Sequence, residues 1–204
     1  MAACYSPRLD EAIALAVEAF RDRCRKDGET PYLMHLLQVL VTVGEHHGDE
    51  DQMVAAVLHD YLEDIEGATA QELSSRFGAR VASMVVDLSD SSTHPKPPWH
   101  ERKRGYVSRL STASHDVKLI CAADKLHNAT STLRDYRAIG DRVWERFTAG
   151  RRESLWYYRA IVDALSSDWT HPLLEELTEA VKRLHDEAGV EERWVTPANA
   201  VSSQ

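Results

Sequence analysis

Apolar residues recur along most of this chain at helical spacing, and the strict alternation that marks a half-buried strand is scarce. Leu9, Ile13, Ala16, Val17 and Phe20 fall on one stripe of a 3.6-residue period and predict a first helix from about Arg8 to Arg25. Asp27-Gly28-Glu29 interrupts it. Thr30 followed by Pro31 reads as an N-cap with proline at the first helical position, so a second helix should run to about His46. Gly48-Asp49-Glu50-Asp51 is a polar turn whose acids suit the start of a third helix, and the run from Met53 to Leu58 is apolar enough to be buried. Thr69 opens a short helix over Ala70 to Phe77, Gly78 ends it, and Val81, Met84, Val85 and Leu88 carry the next.

Ser91 to Pro98 holds three of the seven prolines and predicts an extended surface loop rather than a linker between domains. Beyond it Trp99 to Leu110 is helical, Ser114 caps a long helix through Leu133, another covers Arg151 to Leu165, and His171-Pro172 starts the last. The periodicity stops at Gly189. The pattern therefore predicts an all-α bundle with room for a minor β element, as one domain over residues 1–188 with residues 189–204 as a frayed tail.

Composition narrows the function classes. With 204 residues, 43% of them hydrophobic, the chain can bury a core and is not generally disordered. The net charge of −9 gives little support to a nucleic-acid polymer or an anionic membrane as partner. Cys4, Cys24 and Cys121 are odd in number and widely spaced, which suggests no disulfide framework and fits a reducing cytoplasm. No stretch approaches the roughly 18 apolar residues of a membrane span, and the first residues lack the basic start and apolar run of a signal peptide. The acidity is concentrated: between Asp27 and Ser75 stand eleven acidic residues and no Lys or Arg, so the remainder sums to +2.

That segment also holds the densest chemistry. In Leu58-His59-Asp60-Tyr61-Leu62-Glu63-Asp64, continued as one helix, His59 and Glu63 share a face, Asp60 and Asp64 share the adjacent one, and all four converge on one cleft. Burying unpaired polar groups costs on the order of 2–7 kcal/mol each, and a divalent cation is the simplest compensation. The bland alternative is an amphipathic helix ending in a solvated acidic turn. Against it stand His35 and Asp124, which likewise interrupt apolar helical surface. Two imidazoles and two carboxylates make a mixed nitrogen and oxygen set, suited to Mn²⁺, Fe²⁺ or Zn²⁺ rather than to the all-oxygen preference of Ca²⁺ or Mg²⁺.

His35, His59-Asp60 and Asp124, in this order on helices, resemble the HD superfamily of metal-dependent phosphohydrolases. The wider pattern is similar to the hydrolase domain of RelA/SpoT proteins, and most to the stand-alone small alarmone hydrolases of the metazoan SpoT-homologue kind. It comprises Arg25-Lys26-Asp27-Gly28, Thr30-Pro31-Tyr32, His35, His59-Asp60, Glu63-Asp64, Phe77-Gly78, Glu101-Arg102-Lys103-Arg104 and Ala123-Asp124-Lys125-Leu126-His127-Asn128, within Leu9 to Leu165. The resemblance implies an all-helical fold, one Mn²⁺, a nucleotide substrate, and removal of the 3′-pyrophosphate from guanosine tetra- or pentaphosphate by metal-activated water. It implies His35, His59, Asp60 and Asp124 as metal ligands and Glu63 and Asp64 as the catalytic acidic pair. Arg25, Lys26 and Asn128 become the substrate contacts.

Other features stay open at this level. His127 suits a hydrogen bond to a ligand, or packing in the core, better than ligation. The local +4 of Lys96 to Arg109 either attracts phosphates or pairs with the acidic segment, and Tyr157 and Tyr158 are either core or an aromatic wall of the site. His46-His47 and Cys121 read as solvated and core respectively. The chain departs from the family pattern at Leu36, where proline is common, and at Thr130, where arginine is. Rival readings are a related hydrolase for an adenosine alarmone, the 2′-phosphate of NADPH or a nucleoside monophosphate, and a non-catalytic module that binds metal or nucleotide.

Overall fold

A computed structural model describes residues 5–91 and 95–188, so the tail expected over 189–204 lies outside the described residues. Ten α-helices and one 3-10 segment are present among them, and the one β feature is an antiparallel bridge between Cys24 and Pro31. The helices are α1 (Pro7–Ala19), α2 (Tyr32–Glu45), α3 (Glu50–Val57), α4 (Tyr61–Asp64), α5 (Ala70–Phe77), α6 (Ala79–Leu88), α7 (Trp99–Leu110), α8 (His115–Ile139), α9 (Gly150–Leu165) and α10 (Pro172–Glu187). No helix among the described residues is long and apolar enough to cross a membrane.

The capping chemistry explains most boundaries. Ser6, Asp49, Thr69 and Ser114 each accept a backbone N–H at the start of a helix, and Asp49 with Gln52 forms a reciprocal capping box. Gly78, at φ +94, turns α5 into α6, a conformation that a Cβ would strain. α8 is the axis. Its segment Val117–Asp124 is wholly buried, and α2, α3, α6, α9 and α10 all pack against it.

The N-cap of α2 is Pro31 rather than Thr30, whose hydroxyl donates to Asp27 instead, and three further boundaries differ from the pattern, each for a local reason. α1 ends at Ala19 instead of near Arg25, because Arg23 and Arg25 pair with Tyr32 and Thr30 across a tight turn. The Asp27 carboxylate accepts the N–H groups of Glu29 and Thr30 and the Thr30 hydroxyl, and Gly28 takes φ +81. α8 runs on to Ile139 rather than stopping at Leu133, since Tyr136 and Ile139 continue its apolar stripe until Gly140 breaks it at φ +63. The third difference shapes the site. α3 stops at Val57, a turn spans 58–60, and α4 restarts for a single turn, so the uninterrupted helix assumed for His59 to Asp64 is corrected.

Candidate metal centre and its cavity

The break between α3 and α4 is what turns His59 inward. The His59 Nδ1–H donates to the Ala56 carbonyl at 2.8 Å, in place of the helical amide that would otherwise have reached it. Nε2 is thereby turned into the cluster, buried and without a hydrogen-bond partner among the described residues. Around it stand Asp60 Oδ2 at 3.0 Å and Asp124 Oδ1 at 3.8 Å. His35, from the first turn of α2, brings Nε2 to 3.3 Å from Asp124 Oδ1 and 3.7 Å from Asp60 Oδ2. Ligand atoms of His35, His59 and Asp124 lie within 4.8 Å of one another, all three residues buried.

Second partners orient these groups. His35 Nδ1 meets His127 Nδ1 at 2.7 Å, and His127 Nε2 lies 3.4 Å from the Ser131 hydroxyl. Burial and the neighbouring His35 pull His127 down to about 4, so it stays neutral and can accept the proton of His35 Nδ1, leaving His35 Nε2 for the centre. Tyr32, whose ring stacks on Phe20 at 5.3 Å, donates its hydroxyl to Asp60 Oδ2 at 2.6 Å. Asp124 takes Lys125 on one oxygen and the Asn128 amide on the other.

The electrostatics follow from this packing. Burial works against charge on His59, yet the Asp60 and Asp124 carboxylates raise it to about 9. Burial likewise opposes ionisation of Asp124, but Lys125, His35 and His59 hold it well below the usual carboxylate range. For His35 burial wins over Asp124 and lowers the imidazole. Two carboxylates facing two imidazoles, one with an orphaned nitrogen, form a set that a divalent cation satisfies and that the protein alone does not.

Glu63 and Asp64 stand at the edge of the same cavity, of about 610 Å³, on α4. Lys96 bridges them, 3.0 Å from Glu63 Oε1 and 3.2 Å from Asp64 Oδ1. Burial, followed by repulsion from Asp60, raises both carboxyls above their ordinary range; Asp90 adds to the effect on Glu63. Arg25 and Lys26 leave the turn after α1 on the same cavity: the Arg25 guanidinium donates to the side-chain Oδ1 of Asn128 at 2.6 Å, and Lys26 Nζ sits 4.0 Å from the Phe147 ring centroid. The structure thus brings the expected ligand, acidic-pair and substrate-contact residues to one cavity, with His59 reaching it through Asp60 and Asp124. His46 and His47 lie elsewhere, His46 beside Glu176 at 3.4 Å, and Cys121 is core beneath Tyr106.

Sequence reasoning missed three participants. Lys125 follows Asp124 on a helix and so reads as a surface lysine, although its side chain is only 14% exposed and holds the Asp124 carboxylate. Asp90, 3% exposed, pairs with both Arg102 and Lys103 and turns its own N–H toward Glu63 Oε2 at 3.4 Å. Trp99 lines the cavity from the first turn of α7 and packs edge-on against Tyr157. An acid alone among small polar residues, as Asp90 is, carries no signal at the level of spacing.

Residues 12–154 match the family model of the HD domain. The chain is 33% identical over 186 residues to guanosine-3′,5′-bis(diphosphate) 3′-pyrophosphohydrolase MESH1 of Mus musculus, which covers 90% of this chain and 96% of that protein. Identity to MESH1 of Homo sapiens is 34% over the same shares. A solved structure described as a metazoan ortholog of SpoT that hydrolyzes ppGpp superposes with a TM-score of 0.72 at 28% identity, covering 92% of this chain and 99% of that one. With the His35, His59 and Asp124 constellation seated inside the matched residues, the chain belongs to the HD domain family, among relatives that include MESH1.

Proposed function

We propose that this protein hydrolyses the 3′-pyrophosphate of guanosine tetra- or pentaphosphate, giving GDP or GTP and pyrophosphate, with Mn²⁺ held by His35, His59, Asp60 and Asp124. The observation that carries the reading is the convergence of two imidazole nitrogens and two carboxylates beside a second acidic pair, in a cavity that also presents Arg25, Lys26, Lys103 and Lys125. The resemblance to MESH1, whose name specifies the nucleotide, selects the substrate within that chemistry. When bound, the ion offsets charge on phosphoryl oxygens and makes a water more acidic. Glu63 and Asp64 orient that water and take its proton, neighbouring carboxylates that titrate together. Arg25 and Lys26 supply positive charge for phosphates, and Asn128, whose Oδ1 accepts from Arg25 and whose amide donates one N–H to Asp124, keeps its second N–H for the nucleotide. Residues 1–188 form the hydrolase domain. Cys24 and Cys121 are both free thiols, in keeping with a reducing cytoplasm.

A substrate panel with Mn²⁺, its products separated by chromatography, tests the proposal. GDP and pyrophosphate from guanosine tetraphosphate are expected. Turnover confined to an adenosine alarmone, NADPH or a nucleoside monophosphate would overturn the guanosine assignment, and no turnover of any nucleotide would leave a binding module.

Metal should also stabilise the fold, because the ligand set exists only in the native state. At a free Mn²⁺ concentration about 100 times its Kd the gain is about 2.7 kcal/mol, or roughly 5–10 °C in Tm for a chain of this size. Differential scanning calorimetry with Mn²⁺ and then with a chelator reads the shift and its reversal.

A further inference from the structure

The basic stretch Lys96 to Arg109 and the tyrosines of α9 are not explained by the metal centre, and the structure divides them. Lys96 and Arg102 are occupied with Glu63, Asp64 and Asp90. Arg109 donates to the Ser89 carbonyl, and Arg104 is exposed. Lys103 differs from these. Its Nζ lies 4.8 Å from the centroid of the Tyr157 ring, and Lys125 Nζ, from α8, lies 5.6 Å from the same centroid. Two ammonium groups thus flank one phenol on the wall of the cavity.

Each ammonium has one carboxylate partner among the described residues, Asp90 at 2.6 Å for Lys103 and Asp124 for Lys125. An ammonium carries three N–H donors, so donors remain on both. The Tyr157 hydroxyl takes no hydrogen bond among the described residues, although the residue is only 8% exposed. Lys26 lines the same cavity with no carboxylate partner among those residues. Burial, together with repulsion from Lys103, Arg25 and Lys125, brings its ammonium down to about 8, as expected where positive charge lacks a counterion. Several donors converging on a concave wall with an excess of positive charge suit a phosphate, whose oxygens accept many charge-assisted hydrogen bonds at once.

We infer that Lys103, Lys125 and Tyr157, together with Lys26, form a phosphate subsite separate from the metal ligands, which holds a phosphate of the nucleotide other than the one attacked. The inference rests on the nucleotide reading above and refines it. Two sources share this chemistry: the outer phosphate of the 3′-pyrophosphate and the phosphates on the 5′ carbon.

The test compares guanosine tetraphosphate with one analogue lacking the 5′-phosphates and another carrying a single 3′-phosphate, following formation of the 3′-hydroxyl product by the unaltered enzyme and by Lys103→Met, Lys103→Arg and Tyr157→Phe. In the unaltered enzyme, losing the recognised phosphate should raise KM by about tenfold or more, the scale of a charged hydrogen bond, and which analogue suffers identifies the source. Lys103→Met should lose that discrimination, binding the full substrate as weakly as the affected analogue, while Lys103→Arg keeps most of it. Tyr157→Phe, which deletes only the hydroxyl, should weaken the same discrimination by a smaller factor. Equal handling of all three substrates by the unaltered enzyme would overturn the subsite. So would an equal loss on full and truncated substrates in Lys103→Met, the mark of a merely structural lysine. Absence of turnover with all three removes the nucleotide reading itself and the subsite with it, an outcome distinct from the others.

Discussion

Asp60→Asn is expected to lower kcat/KM about 10³-fold, equivalent to roughly 4 kcal/mol of transition-state stabilisation, and to abolish the thermal shift produced by Mn²⁺. Its metal-free melting temperature should fall only modestly, because His59, losing the carboxylate that holds its proton, reverts to the neutral ring. The side chain of Asp60 is 18% exposed, accepts the Tyr32 hydroxyl at 2.6 Å and stands 3.0 Å from His59 Nε2. Asparagine has the same shape, and its amide oxygen still accepts from Tyr32. What disappears is the negative charge that, with Asp124, draws a cation between the two imidazoles. Asp124→Asn should cost as much activity for the same reason, but with a different stability. Lys125 sits almost buried with Asp124 as its one carboxylate partner among the described residues, so neutralising that partner strands a buried ammonium and costs on the order of 3–5 kcal/mol. Steady-state kinetics combined with metal-titrated thermal melts separates the two variants. An Asp60→Asn protein that keeps both its activity and its metal-induced shift would reduce the ligand set to His35, His59 and Asp124.

Much of the fold was legible because its signals are local. Thr69, Ser114 and the Gly78 break announce helix boundaries through capping and φ requirements that neighbouring residues cannot disguise. The proposed metal ligands were legible for another reason, since polar residues interrupting apolar helical surface are costly unless they meet, and they do meet. The turn at 58–60 was not legible. It contains neither glycine nor proline, and the helix ends there because the His59 side chain takes the Ala56 carbonyl, a competition that propensity does not register. The correction leaves Glu63 and Asp64 beside the cavity through α4 rather than through a shared helix face with His59 and Asp60. Asp90 was equally hidden, because its meaning comes from Arg102 and Lys103 twelve and thirteen residues on, in another helix. The local +4 of residues 96–109 then resolves into both of its readings at once: Lys96 and Arg102 pair with acids, and Lys103 faces the cavity.

Glu63→Gln and Asp64→Asn should each preserve the metal-induced thermal shift, because neither side chain reaches the ligand cluster, while the double variant loses kcat by about 10²–10⁴-fold, the range of a positioned general base. The single variants divide that loss. If one carboxylate carries the proton, its replacement alone reproduces the full effect and the other is nearly silent; a coupled pair gives an intermediate loss at each. The pH profile supplies a second readout whose sign is fixed by the environment. Burial, and then repulsion from Asp60, lifts both carboxyls above the ordinary carboxylate range, with Lys96 opposing. A base acts only when deprotonated, so activity should fall with decreasing pH from a point above that range, and the position of this acid limb should move or vanish when the relay carboxylate is replaced. Folding should not suffer. A carboxylate whose pKa is raised by folding disfavours the native state above its unfolded pKa, so a neutral isostere at neutral pH removes a repulsion with Asp60 and leaves Lys96 with the remaining acid. Full activity in the double variant, with the thermal shift intact, would show that the acidic pair serves the architecture of the cavity and not the proton transfer.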